Sequence, residues 1–153
     1  MKLAEALAVR ADLQKRVELL RARLVESAKV QEGETPAEDP TVLFRELDQS
    51  LTQLVTLITQ INSLNLQTLL PDGSTLTNAI TRREMISLRQ SVLMSVIEAA
   101  STRSDRYSRT EIRYEVTVPV AQLRQEYDDL ARQRRELDAH IQSTNWITEF
   151  PEG

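Results

Sequence analysis

Residues 49–71, QSLTQLVTLITQINSLNLQTLLP, contain no charged side chain, although 27% of the residues in the chain are charged. Apolar residues recur at helical spacing on one side of this stretch: Leu47, Leu51, Leu54, Ile58 and Ile61. The other sides carry Thr, Gln, Ser and Asn, where a solvent-facing helix ordinarily carries Lys and Glu. Uncharged amides and hydroxyls cost less to bury than charges do. We therefore expect a helix that is enclosed on more than its core side, by a neighbouring helix or by another subunit.

This helix is the second of four that the sequence predicts. The first covers residues 2–31, the second about 41–65, the third runs from Thr75 or Thr77 to about Ala100, and the fourth opens at Pro119. Their similar lengths and short connections predict an antiparallel bundle of four long helices, a mostly all-α single domain over 1–153. The third helix carries two apolar stripes, and the fourth has the cleanest stripe, at Val120, Leu123, Tyr127, Leu130, Leu137 and Ile141.

A minor β element is also predicted. LLPDGSTL at 69–76 fits a small hairpin or a tight turn between helices, because Pro, Asp and Gly are turn residues. TEIRYEVTV at 110–118 alternates apolar and polar residues, which is typical of a strand. A lone strand is unstable, so it must pair with 69–76 or with the same strand of a symmetry mate. The apolar tail residues Trp146, Ile147 and Phe150 are expected to dock.

Composition excludes several functional classes. The net charge of −4 favours neither nucleic acid nor an anionic membrane as a partner. The absence of cysteine excludes disulfides and thiolate catalysis, and no Gly-x-Ser-x-Gly or glycine-rich phosphate loop is present. About half of residues 49–71 are polar, so a membrane span is not expected. Charges interrupt the N-terminal residues, which predicts no signal peptide and a cytoplasmic protein. We expect no enzyme activity and no cofactor.

Glu136 and His140 are the candidate metal ligands. They lie one helical turn apart on the same face, but His140 is the one histidine in the chain. Bundle di-iron sites need several Glu and His ligands, so these two residues form a weak site. They also end a ladder of alternating charge that runs Arg124, Asp128, Arg132, Glu136, His140, which favours a salt-bridged exposed flank.

Arginines supply two further candidates. Arg106, Arg109 and Arg113 lie close to two tyrosines and form a candidate anion site, with pairing to the acidic 32–39 loop of a neighbour as the structural alternative. Arg83 and Arg134 interrupt apolar stripes on the third and fourth helices. If they are buried, each needs an anionic partner that fixes the register of the helices.

Five stretches of the chain resemble a known family. They are MKLAEAL..RADLQKR at 1–16, AKVQEGE..AEDP at 28–40, DG.TLT.A..RR at 72–83, RYSR.EI at 106–112 and RELD..IQ..NW at 135–146. The chain is thereby similar to small, functionally uncharacterised bacterial helical proteins, some of which carry the name septicolysin after a pore-forming toxin. The resemblance implies a long-helix bundle that forms a homo-oligomer, a hexamer. It implies no site residues.

These patterns together predict an intracellular, self-associating helical protein that acts through protein–protein interaction. Its interface is expected on the hydroxyl and amide side of the charge-free helix, at Thr52, Thr56, Thr59, Gln60 and Ser63. One alternative is a membrane-active, pore-forming oligomer. Another is an oligomer with a metal or anion site at a subunit junction, where symmetry multiplies the single His140.

Overall fold

The computed structural model describes residues 1–102 and 112–152, and over these residues the protein is all-α. Helix α1 is Leu3–Glu26, α2 is Pro40–Gln67, α3 is Leu76–Ser101 and α4 is Val120–Ile147. Within the described ranges no strand forms, and an isolated bridge joins Lys2 to Glu149. The predicted fold class of four long helices is confirmed. None of these helices is both long enough and apolar enough to cross a membrane.

Internal contacts divide the chain into two compact units. The first comprises Met1–Leu69 and Gln142–Gly153, and the second comprises Leu70–Ile141. Helix α4 contributes to both, because its last turns from Gln142 belong to the first unit. Each unit has its own buried apolar residues.

In the first unit, α1 and α2 pack against each other. Arg16 pairs with Glu46 at 3.7 Å, and Arg23, one helical turn from the end of α1, pairs with Glu38, just before α2. Residue numbers rise along α1 while they fall along α2, so the two helices run antiparallel. Both helices contribute buried residues, namely Leu3, Ala6, Leu20, Leu43, Leu54 and Ile61.

Helix α1 is shorter than the predicted 2–31. It ends at Glu26, and the N–H of the C-cap residue Ser27 donates to the Arg23 carbonyl at 3.0 Å. Residues 28–31 are exposed, so no buried stripe supports further helical turns. Gly33 lies in the following loop with φ of +86°.

Helix α2 begins where the sequence predicts. The Asp39 carboxylate accepts a hydrogen bond from the Thr41 N–H at 2.9 Å, and Pro40 occupies the first helical position, where no N–H partner is needed. The buried side differs from the predicted seam. Ser50 is buried, whereas Leu51, which was expected in the seam, is 43% exposed. The core side of α2 is therefore rotated away from Leu51.

The chain ends are tied together in the first unit. The Leu3 N–H donates to the Thr148 carbonyl at 2.9 Å, and the Phe150 N–H donates to the Met1 carbonyl at 2.8 Å. Phe150 is 5% exposed, so this part of the predicted docking is confirmed. The prediction is wrong for Trp146 and Ile147, which are exposed on the last turn of α4 because that turn buries Thr144 and Asn145 instead.

In the second unit, α3 and the part of α4 up to Ile141 run antiparallel. Arg89 pairs with Glu126 near the start of α4, and Arg83 pairs with Asp138 nearer its end. The predicted stripes supply the buried residues of this unit, including Leu93 and Ile97 from α3, and Leu130 and Ile141 from α4. The remaining α4 stripe positions are half-buried, which confirms that stripe.

The segment at 69–76 is a tight turn between α2 and α3, in which Leu69 and Thr75 are single bridge residues and no strand forms, so the predicted hairpin is reduced to this turn. The Leu70 N–H donates to the Ser74 carbonyl at 2.8 Å, and the Gly73 N–H donates back to the Leu70 carbonyl at 2.9 Å. Gly73 has φ of +84°, a left-handed conformation that favours glycine. Helix α3 starts directly afterwards, because the Thr75 hydroxyl caps it by accepting from the Asn78 N–H at 3.1 Å.

Asp72 makes this turn sensitive to acid. Its carboxylate accepts hydrogen bonds from the Ser74 hydroxyl at 2.5 Å and the Ser74 N–H at 2.8 Å, and pairs with Arg82. These contacts lower the pKa of Asp72 from 3.8 to about 2, and the hydrogen bond from the Ser74 hydroxyl has the largest effect.

The charged Asp72 carboxylate stabilises the folded turn, because its pKa is lower in the folded protein than in the unfolded chain. We expect this stabilisation to be lost as the pH falls from about 4 to about 2 and the carboxylate becomes protonated. The free energy of unfolding of the wild type minus that of Asp72→Asn, measured by urea denaturation, should shrink across this range. A difference that stays constant from pH 5 to pH 2 would contradict the assignment.

The predicted strand at 110–118 does not form within the described residues. Residues 112–118 are neither helix nor strand, and 110 and 111 lie outside the described ranges. The tight turn at 70–74 uses its own backbone groups internally, so it offers no ladder to a second strand.

Candidate interaction surface

The predicted interface residues lie on an outer side of α2. Thr52, Thr56, Thr59 and Ser63 are exposed, and Gln60 is half-buried. The threonine hydroxyls donate to the backbone carbonyls one turn earlier: Thr52 to Asp48 at 2.9 Å, Thr56 to Thr52 at 3.4 Å and Thr59 to Val55 at 2.7 Å. Their polar groups are thus satisfied within the helix, and their methyl groups remain available for contact.

Exposed apolar residues adjoin these threonines. Val55 and Leu66 are 68% and 63% exposed. Leu51 lies four residues before Val55, and Leu66 lies eleven residues after Val55, so all three are on the same side of the helix. We call this surface the uncharged α2 face; its members are Leu51, Thr52, Val55, Thr56, Thr59, Asn62, Ser63 and Leu66. Sequence reasoning missed its apolar part. The helical spacing of Leu51, Val55 and Leu66 could have revealed it, but Leu51 had been assigned to the single predicted seam.

Helix α3 carries a comparable exposed row. Met85, Leu88 and Val92 are all more than half exposed, and they continue a spacing of four and three residues that begins at Thr81 and ends at Ala99. We call this row the α3 seam; it comprises Thr81, Met85, Leu88, Val92, Ser95 and Ala99. Sustained four–three spacing is the pattern of helices that pair in coiled coils. The predicted second stripe of α3 is Met85, Leu88, Val92 and Val96; its first three members are exposed in this seam, and Val96 is half-buried beside it.

A shallow groove of about 370 Å³ runs beside α3 in the second unit. Its lining is polar but uncharged, and consists of Ser87, Gln90, Ser91, Met94, Ser95 and Tyr127. The Ser87 hydroxyl accepts from Arg134 Nε at 2.7 Å, and the Gln90 amide donates to the Tyr127 carbonyl at 3.4 Å. This lining offers hydrogen bonds, and it contains no carboxylate or imidazole that could act as a base.

The two arginines in apolar stripes have different surroundings. Arg83 is half-buried and donates a charge-assisted hydrogen bond to Asp138, as the register prediction requires. Arg134 is exposed, so the prediction that burial would demand an anionic partner does not apply to it. Its hydrogen bond to Ser87 nevertheless links α4 to α3 within the second unit.

The candidate metal residues Glu136 and His140 are exposed on α4. In the described part of the chain, the structure brings together no group of three His, Cys, Asp or Glu side chains able to hold a metal ion. The predicted charge ladder is also altered, because Arg132 pairs with Asp129, three residues away, at 3.7 Å.

Of the candidate anion site, Arg106 and Arg109 lie outside the described residues, and Arg113 is exposed. The acidic loop makes its contact within the first unit. Glu38 accepts hydrogen bonds from the Arg23 guanidinium, one of them at 2.8 Å, and this contact lowers the pKa of Glu38. The expected pairing of this loop with a neighbour's arginines stays a prediction.

A family of unknown function (DUF6847) matches residues 10–150 of the chain. The chain is also similar to a solved structure, the crystal structure of a functionally unknown conserved protein from Corynebacterium diphtheriae, with 38% sequence identity and a TM-score of 0.90. The match covers 99% of both chains. No curated protein matches. These descriptions name no cytolysin, so they lend no support to the resemblance to septicolysin proteins.

Proposed function

The chain belongs to the DUF6847 family, whose function is unknown, and we propose from its own surfaces that it is a self-associating protein that acts through protein–protein interaction. One observation carries the proposal: α2 has no charged side chain from Gln49 to its end at Gln67, yet the uncharged α2 face is largely exposed in a single chain. A surface of this kind is typical of an interface between copies.

The chemistry of the uncharged α2 face favours burial. Removing Val55 and Leu66 from water is favourable, at roughly 25 cal/mol per Å² of apolar surface. The hydroxyls of Thr52 and Thr59 already donate within the helix, so a partner need not supply acceptors for them. A Lys or Glu at these positions would have to be desolvated on association, at a much higher cost.

The α3 seam is the second contact that we propose. Its four–three spacing suits the a and d positions of a helix pair, where each side chain inserts between residues of the facing helix. Small residues at both ends, Thr81 and Ala99, allow close approach of a partner helix. A protein with two separate contact faces can build a closed ring, and the hexamer implied by the septicolysin resemblance is one such assembly.

A charge placed on the uncharged α2 face, at Thr56, or beside it, at the half-buried Gln60, is expected to dissociate the assembly. Thr56→Glu and Gln60→Lys should each weaken self-association by about a hundredfold or more, because an unpaired charge costs several kcal/mol to bury. Light scattering at micromolar concentration reports the mass, and circular dichroism should show unchanged helix content.

The matched control for Gln60→Lys is Gln14→Lys, which makes the same substitution at an exposed position of α1, outside the uncharged α2 face. It should leave the mass unchanged. Unaltered assembly in both Thr56→Glu and Gln60→Lys would show that the charge-free stretch has another cause.

A further inference from the structure

The segment 112–118, IRYEVTV, precedes α4 and is exposed up to residue 117. Ile112, Tyr114 and Val116 form an apolar row, with Tyr114 79% exposed. No backbone hydrogen bond between described residues joins 112–117 to another segment. Among the ion pairs of the described chain, none involves Arg113 or Glu115. A sequence with strand alternation thus has backbone groups that find no partner among the described residues, beside an exposed apolar row. A strand that adds to another chain has these two features.

We propose that this segment pairs antiparallel with the same segment of a second copy, with Tyr114 opposite Tyr114 on the two-fold axis. The sequence is complementary to itself about this residue. In this register Arg113 of each copy lies opposite Glu115 of the other, on one face of the ribbon. On the other face, Ile112 lies opposite Val116, and the two Tyr114 rings adjoin.

The parallel in-register pair and the neighbouring antiparallel registers lack this complementarity. In a parallel in-register pair, Arg113 lies beside Arg113 and Glu115 beside Glu115, which places like charges together. An antiparallel pair centred on residue 113 or 115 places two like charges on the axis. A shift by a single residue sets the apolar face of one strand against the charged face of the other. Among the antiparallel registers centred on residues 113 to 115, charge and alternation therefore favour the one centred on Tyr114.

The inference rests on the proposed function, because a two-stranded ribbon alone is marginally stable in water. Self-association through helix faces would hold two copies together, and the second contact then forms at a high effective concentration. The predicted strand does not form within the described residues of one chain, and in this arrangement it forms with the second copy. The alternative of a symmetry mate was one of the two open from the sequence.

Charge reversal tests the register. Arg113→Glu and Glu115→Arg each replace two opposite-charge pairs by two like-charge pairs, so each should weaken self-association of the full chain by about tenfold, as measured by sedimentation velocity. The double variant Arg113→Glu/Glu115→Arg restores opposite charges in both pairs. It should return the dissociation constant to within about threefold of the wild type. Single variants without effect, or a double variant as weak as the singles, would overturn the register.

A cysteine cross-link tests the position of the axis, and the chain offers a clean background because it contains no cysteine. Directly opposite residues of an antiparallel pair have Cα atoms about 4.5–5.5 Å apart, within the range of a disulfide. Tyr114→Cys should therefore give a covalent dimer under mild oxidation. Thr117→Cys is the matched control: in this register the two copies of residue 117 lie about 20 Å apart, so it should stay uncross-linked.

The outcomes separate the inference from the proposed function. If the wild type is an oligomer that Thr56→Glu dissociates, but Tyr114→Cys cross-links no better than Thr117→Cys, the strand pairing is wrong and the helix-face proposal stands. If the wild type has the mass of one chain at micromolar concentration, the proposed function itself is wrong. Efficient cross-linking through Tyr114→Cys alone, with rescue by the double charge variant, supports both.

Discussion

Replacing Phe150 by alanine is expected to lower the free energy of unfolding by about 3–5 kcal/mol, the usual range for a buried phenylalanine. Phe150 is 5% exposed, and its N–H donates to the Met1 carbonyl. The neighbouring Lys2–Glu149 pair lies beside this contact, and the pKa of Glu149 is lowered by its hydrogen bond from Lys2. The loss in free energy of unfolding, measured by urea denaturation, therefore reports how much the packing of the C-terminal tail stabilises the first unit.

Trp146→Ala provides the matched control four residues earlier. It removes a larger aromatic side chain, but one that is 60% exposed, so the free energy of unfolding should change by no more than about 0.5 kcal/mol. Equal losses in the two variants would contradict the observed docking, and so would a larger loss for Trp146→Ala. Hydrophobicity alone predicts the opposite order, because tryptophan is the larger residue.

The second large effect is expected at Ile61. Its side chain on α2 is fully buried, so Ile61→Ala should cost about 2–5 kcal/mol through lost burial and the cavity that remains. Because ligands and partner subunits stabilise the folded state, the urea measurement must be made at one fixed protein concentration. Val25→Ala, at a valine that is 71% exposed on α1, should stay within about 0.5 kcal/mol.

The comparison also separates two roles of α2. Ile61→Ala should destabilise each subunit, whereas Thr56→Glu should leave subunit stability nearly unchanged and reduce assembly. If instead Thr56→Glu lowered subunit stability and Ile61→Ala reduced only assembly, Thr56 would lie on the core side of α2 and Ile61 on its outer side. The exposed position of Leu51 makes this check worthwhile, because the sequence pattern placed it in the core.

Helix positions were predictable because the repeat of apolar residues and the capping residues agree. Asp39 and Pro40 mark the start of α2 locally, and Thr75 marks the start of α3, without reference to distant contacts. The end of α1 was not predictable in this way. Residues 28–31 have no helix breaker before Gly33, and only the missing burial beyond Ser27 ends the helix.

Burial on a helix with two apolar sides was the least predictable feature. Both sides of α2 satisfy a helical repeat, and the choice between them depends on how α1 lies against it. In the tail, too, the sequence does not distinguish Phe150, which is buried, from Trp146, which is exposed. Among the candidate sites, the position of Arg83 in an apolar stripe predicted that it needs an anionic partner, and the structure pairs it with Asp138. Its partner could not be named, because the alignment of α3 with α4 is a tertiary property.

The mass of the purified protein in solution tests the central claim most directly. We predict that light scattering at micromolar concentration gives a multiple of the 17.5 kDa chain mass, sixfold for a hexamer, and that Thr56→Glu reduces it toward that of one chain. A wild-type mass of a single chain would contradict the account.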